Sequence, residues 1–200
     1  GPHRPAPPLV LPPTLDDALQ SMTDEQRASL FKQAMESGNY DQAMRIVLHG
    51  QQAFGQAVLE RLLERGEDVV AVCCAPTKEG KPEDPLVELA REKGLPVHQP
   101  KSWKTPEALA LMESFNADVC MMAYVLLFVP QEVRDAPTYG TFQYHPSLCP
   151  QHRGPSSINW PIAMGKTRTG LSIFWPDDGL DEGPMMLQKT CEIGPDETLG

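Results

Sequence analysis

Two runs constrain this chain more than any other feature: Val69–Ala75, which reads VVAVCCA, and Asp118–Val125, which reads DVCMMAYV. Neither alternates apolar with polar residues, so each must bury both faces. That is the signature of a strand in a parallel sheet covered by helices on both sides. The segments around them read as helices: Gln52–Glu64 closed by Gly66, Asp84–Lys93 stopped by Gly94, Thr105–Phe115, a brief Val129–Arg134, and Pro155–Met164. Further extended pieces are expected at Ile46–Leu48, Pro96–His98, Thr141–Tyr144, Gly170–Trp175 and Met185–Glu192. Strands alternating with helices predict an α/β, Rossmann-like layer fold with a mostly parallel sheet flanked by helices. Ligands then bind beyond the carboxyl ends of the strands.

Two hundred residues suffice for one such domain and an appendage. Prolines at 2, 5, 7, 8, 12 and 13 predict an extended, poorly ordered arm over 1–22. Thr23 with Gln26 makes a capping-box pattern, so 23–43 reads as a helical leader, and 44–200 as the main domain. A formal charge of −10 without a Lys/Arg cluster disfavours a nucleic-acid partner. The longest apolar run, Val119–Val129, has about half the residues of a membrane span, so no membrane partner is expected. The polar, Pro-rich start is unlike a secretory signal. Cys73, Cys74, Cys120, Cys149 and Cys191 show no C-x-x-C spacing and read as small buried hydrophobes in a reducing cytoplasm, without a metal.

Two motifs invite a nucleotide and fail. Gly50–Gly55 follows the first strand, but a dinucleotide fingerprint needs glycine where Gln52 stands. It also needs an acidic residue where the second strand ends in Cys73-Cys74-Ala75-Pro76, so NAD is not expected. Gly165-Lys166-Thr167 resembles a P-loop tail, but Trp160 occupies the position of the upstream glycine and the tripeptide follows a helix; it reads as a turn.

The chemistry concentrates in 143–184. His145 ends a strand and opens a Pro-rich loop, and Asp181 sits in a Gly-flanked loop between two later strands. A histidine and a carboxylate delivered by separate loops to one sheet edge can share a proton-transfer task. The pattern Tyr144-His145-Pro146-Ser147-Leu148, His152-Arg153-Gly154, Ile158-Asn159-Trp160 and Phe174-Trp175-x-Asp177-Asp178-Gly179-Leu180-Asp181-x-Gly183-Pro184 resembles the folate-dependent formyltransferases. Within that family it is most like the amino-terminal hydrolase domain of 10-formyltetrahydrofolate dehydrogenase, from about Met44 to Gly200.

The resemblance implies an enzyme of the Rossmann-like formyltransferase fold whose formyl-donor substrate is 10-formyltetrahydrofolate. His145 would hydrogen-bond the formyl oxygen as the carbon becomes tetrahedral, and Asp181 would position His145 and relay a proton. The third family position, usually Asn, is Gln143 here; it keeps the amide but moves it by about one C–C bond. Removing such a donor costs roughly 2.7–4 kcal/mol, so this departure puts efficient transfer in question. Folate would lie along Tyr124, Leu126, Leu127 and Phe128, with Asp177 and Gly179 on the other side; by sequence alone, that first stretch is a buried strand end. His152 and Arg153 read as loop scaffolding, His49 as packing, and Trp103, Trp160 and Trp175 as core or rim aromatics. The acceptor is open between water, slightly favoured, and an amine such as a sugar nucleotide, with methionyl-tRNA weaker. A folate-binding module with decayed catalysis is the alternative of another class. The stop at Gly200 leads us to expect a further C-terminal or partner domain.

Overall fold

The computed structural model describes residues 44–198 together with Thr23, Gln26 and Ser29. The expected arm over 1–22 and most of the leader lie outside the described residues. The capping box is present: the Thr23 amide donates to the Gln26 side chain at 2.9 Å, and the Gln26 amide to Thr23 Oγ1 at 3.2 Å.

The elements run β1 (Arg45–Gly50), α1 (Gln52–Glu64), β2 (Asp68–Cys73), α2 (Pro85–Glu92), β3 (Val97–His98), α3 (Pro106–Ser114), β4 (Val119–Ala123), α4 (Gln131–Arg134), β5 (Thr141–His145), α5 (Asn159–Ala163), β6 (Arg168–Phe174) and β7 (Met185–Glu192). They build a seven-stranded sheet in the order β3-β2-β1-β4-β5-β6-β7. β3 through β5 pair in parallel, and β6 and β7 add antiparallel. Alternate residues of one strand feed opposite cores, as a period of two requires. Ile46 and Leu48 pack with Leu59 and Leu62 of α1 and Leu86 and Leu89 of α2. Val47, between them, packs with Ala108 and Met112 of α3 and Val133 of α4.

Helix starts follow their caps. Thr105 Oγ1 accepts from the Ala108 amide and Pro106 opens α3; Asp84 accepts from the Leu86 amide at 3.0 Å and Pro85 opens α2. Asp84 also takes the Gln52 amide, at 2.8 and 2.9 Å, so one carboxylate serves the starts of two helices. Several expected boundaries move, most by a residue or two, and two of the shifts have a backbone cause. β4 stops at Ala123 because Tyr124 is left-handed, with φ 66°, which breaks the ladder. The helix expected over Pro155–Met164 is confined to Asn159–Ala163, since Ser156 has φ 61° and leaves the segment before it as turns.

Sequence order reverses between β1 and β4. The chain leaves β1 towards β2 and β3, then crosses to the other side, so loops diverge beyond Gly50 and Ala123 and open a crevice there. Gly50 suits that junction because an added Cβ would lie 2.4 Å from the Ala123 carbonyl oxygen. No helix among the described residues is long and apolar enough to cross a membrane.

Candidate active site

The crevice is a cleft of about 580 Å³. Phe54 enters from the start of α1, Tyr124 from the end of β4, and Gln143 and His145 from β5; Gly154 to Asn159 and Asp181 close the remaining sides. Phe54 and Tyr144 stack at 4.3 Å to form one apolar wall.

His145 is the last residue of β5, opposite Ser172 of β6, and is buried. Its Nε2 lies 2.9 Å from the His152 carbonyl. A carbonyl only accepts, so Nε2 carries a proton and donates it there. Nδ1 then faces Asp181, 3.5 Å from Oδ2, close but longer than a hydrogen bond. Asp181 sits at φ 47° in the loop between β6 and β7. Gln143 Nε2 donates to its Oδ1 at 2.8 Å, and the Gly154 amide to its Oδ2 at 2.6 Å. The three residues picked from sequence as catalytic thus converge on one carboxylate.

The loop after His145 is fixed by hydroxyls that sequence reading passed over. Ser147 Oγ donates to the Gln151 carbonyl, and Ser172 Oγ to the Ser147 carbonyl, each at 2.7 Å. Ser172 also accepts from the Cys149 amide and from Gln188 Nε2, both at 3.0 Å. The available signal was a lone serine between Leu171 and Ile173. His152 contributes its carbonyl, and Arg153 pairs with Glu182 at 2.7 Å, next to Asp181.

A second, smaller cavity of about 160 Å³ adjoins the first through Gln143 and Asp181. Leu127, Phe128, Asp177 and Gly179 line it, while Tyr124 borders the larger cleft and Leu126 borders neither. The stretch is not a buried strand end: Tyr124 is 47%, Leu126 62% and Phe128 59% exposed. Turning out of the sheet at Tyr124 is what exposes them. Arg134, unremarked in the sequence, also lines this cavity.

His49 is buried against Trp103, ring centroids 4.9 Å apart, and burial lowers its pKa to about 3. It is a packing residue. Trp103 and Trp175 are buried and Trp160 is exposed. Burial pushes the thiols of Cys74 and Cys120 up to about 12. The expectation of burial does not extend to Cys149, which is half-buried, or Cys191, which is exposed on β7.

The formyl transferase family pattern matches residues 44–200. The chain belongs to the formyl transferase family. Among its relatives, human cytosolic 10-formyltetrahydrofolate dehydrogenase is 42% identical over 161 residues, covering 78% of this chain and 18% of that protein. The mouse mitochondrial 10-formyltetrahydrofolate dehydrogenase is 40% identical over the same length, covering 78% and 17%. This formyl transferase chain therefore spans less than a fifth of those relatives. The fold is shared with a formyltetrahydrofolate deformylase from Pseudomonas syringae pv. tomato, TM-score 0.65 at 16% identity, covering 89% of this chain and 63% of that one.

Proposed function

We propose that this chain hydrolyses 10-formyltetrahydrofolate to tetrahydrofolate and formate, with His145, Asp181 and Gln143 as its chemical groups. The observation that carries this reading is the Asp181 carboxylate, held by the Gln143 and Gly154 amides at 2.8 and 2.6 Å while His145 Nδ1 waits 3.5 Å away. A water bound between them attacks the formyl carbon. Its proton passes to the Asp181–His145 pair, and the C=O π electrons move to the formyl oxygen. Gln143 has two amide hydrogens; one holds Asp181, and the other is left for the oxyanion. When the tetrahedral centre collapses, the C–N10 bond breaks, N10 takes the proton back, and formate leaves.

The pterin is assigned to the smaller cavity, between Leu127 and Phe128 on one side and Asp177 and Gly179 on the other. Tyr124, on the larger cleft, flanks its approach. The known relatives' names supply the substrate class. Water is favoured over a phosphorylated acceptor because the cleft lining includes no lysine or arginine, and because Asp84 already takes the first amide of α1, that of Gln52. Transfer to a small uncharged amine is the second reading, supported by the roughly 580 Å³ left beside His145. Five free thiols suit a reducing compartment, the cytoplasm by preference.

The test is to incubate the chain with 10-formyltetrahydrofolate, following tetrahydrofolate by absorbance and formate by a coupled assay. Equal release of both is the expected result. Formylation of an added amine without formate would replace hydrolysis by transfer, and folate binding with no turnover would leave a binding module.

A further inference from the structure

Arg134 ends α4, a helix of four residues, yet its side chain is only 7% exposed and reaches the loop between β6 and β7. Its Nη1 donates to the carbonyls of Pro176 and Asp177, each at 2.5 Å, and its Nη2 to Asp178 Oδ1 at 2.6 Å. The Asp178 carboxylate is 72% exposed, so its share is screened by water. The two backbone carbonyls matter more, since hydrogen bonds from a buried cation are about twice as strong as neutral ones and these fix main chain instead of a mobile side chain.

The arginine is itself anchored to the strand that carries the chemistry. Its carbonyl accepts from Thr141 Oγ1 at 2.8 Å, and buried Thr141 opens β5 two residues before Gln143. The far end of the loop is tied back on itself, with the Asp177 amide donating to the Glu182 carbonyl at 3.0 Å and the Trp175 amide to the Pro184 carbonyl at 3.0 Å. Asp181 therefore projects from a short ring of backbone whose other side is clamped by one guanidinium. A chain of contacts runs from β5 through Thr141 and Arg134 to Pro176 and Asp177, then through Glu182 to Asp181, and back to β5 at Gln143.

We infer that Arg134 is a positioning residue of this site: by clamping the carbonyls of Pro176 and Asp177 it sets where Asp181 stands relative to Gln143, Gly154 and His145. This rests on the proposed role of Asp181. Arg134 touches no reacting atom in that scheme and acts through the loop. A displacement of Asp181 on the order of 1 Å is enough to cost ~10²-fold in rate.

The experiment compares wild type, Arg134→Lys, Arg134→Met and Asp181→Ala by two readouts. The first is steady-state release of formate from 10-formyltetrahydrofolate. The second is hydrogen exchange at the Gly154 amide, whose N–H is bound to Asp181 and reports its position without any turnover. One lysine Nζ can replace Nη1 at both carbonyls, whereas methionine can replace neither. Arg134→Met is expected to lower kcat about tenfold or more, with a smaller change in KM, and to speed Gly154 exchange towards that of Asp181→Ala. Arg134→Lys is expected to fall between it and wild type on both readouts. Should Arg134→Met prove unfolded, Arg134→Lys carries the test: slower turnover with faster Gly154 exchange supports the inference. Unchanged kcat and exchange in a folded variant overturn it, as does a lowered Tm or kcat with Gly154 exchange unaltered. If wild type releases no formate, the hydrolase reading falls, and the exchange comparison still decides whether Arg134 places Asp181.

Discussion

Gln143 carries one methylene more than an Asn would, and its geometry gives that length a use. The extra methylene lets Nε2 reach Asp181 Oδ1 at 2.8 Å across the gap between β5 and the loop. Gln143→Asn withdraws the amide by about one bond length, and formate release is expected to fall roughly tenfold, as for a weakened oxyanion donor. His145→Ala and Asp181→Ala should each lose about 10²–10⁴-fold in kcat, the range for positioned acid–base groups. Activity within a factor of a few of wild type in either would remove that residue from the scheme. His49 offers a prediction about stability. Burial holds its pKa near 3, against 6.5 unperturbed, and its Nδ1 has no hydrogen-bond partner among the described residues. Between those values the unfolded chain binds a proton that the folded one does not, so stability falls as pH drops from 6.5 towards 3 and is unaffected by this group above that window. The effect amounts to a few kcal/mol at most. His49→Phe, which keeps a ring against Trp103, should flatten the urea midpoint between pH 6.5 and 4; an unaltered slope would assign the acid sensitivity to other groups.

At the scale of elements, the apolar runs and the caps made much of the architecture legible. Val69–Ala75 and Asp118–Val125 became β2 and β4 because double burial permits no polar alternation, and Asp84 and Thr105 marked helix starts because their oxygens accept amides two or three residues on. What stayed hidden depends on contacts distant in sequence. Nothing in Pro155–Met164 announces the left-handed Ser156 that shortens α5, and the antiparallel direction of β6 follows from its pairing with β5. His145, at a strand end, and Asp181, in a loop, stood out through the motifs that resemble the formyltransferases, whereas Arg134 did not, because its side-chain partners lie more than forty residues away. The loop carrying Asp181 supplies a prediction of its own. Gly183 has φ 140°, and a Cβ there would come 1.8 Å from the Trp175 carbonyl oxygen, with backbone on both sides. Gly183→Ala must therefore open the ring between β6 and β7 and is expected to lose turnover about as severely as Asp181→Ala, on the order of 10²-fold. Near-normal kcat in that variant would mean that the loop tolerates a conformation other than the one described.

For the whole molecule, charge and acceptor chemistry are linked. The chain carries a formal charge of −10, and Asp181 is the one carboxylate among the residues lining a cleft that contains no lysine or arginine. An anionic acceptor would meet no cationic side chain in that lining. On arrival it would find the α1 amide at Gln52 already bonded to both oxygens of Asp84. The lining without a cation and the occupied amide thus both act against phosphate. Water and neutral amines meet neither obstacle. Millimolar inorganic phosphate or a phosphorylated amine should therefore leave formate release unchanged at constant ionic strength, and the phosphorylated amine should recover no formyl group. Competitive inhibition by phosphate would show that an anion site operates in the cleft despite Asp84, and would turn the search for an acceptor back towards phosphorylated amines.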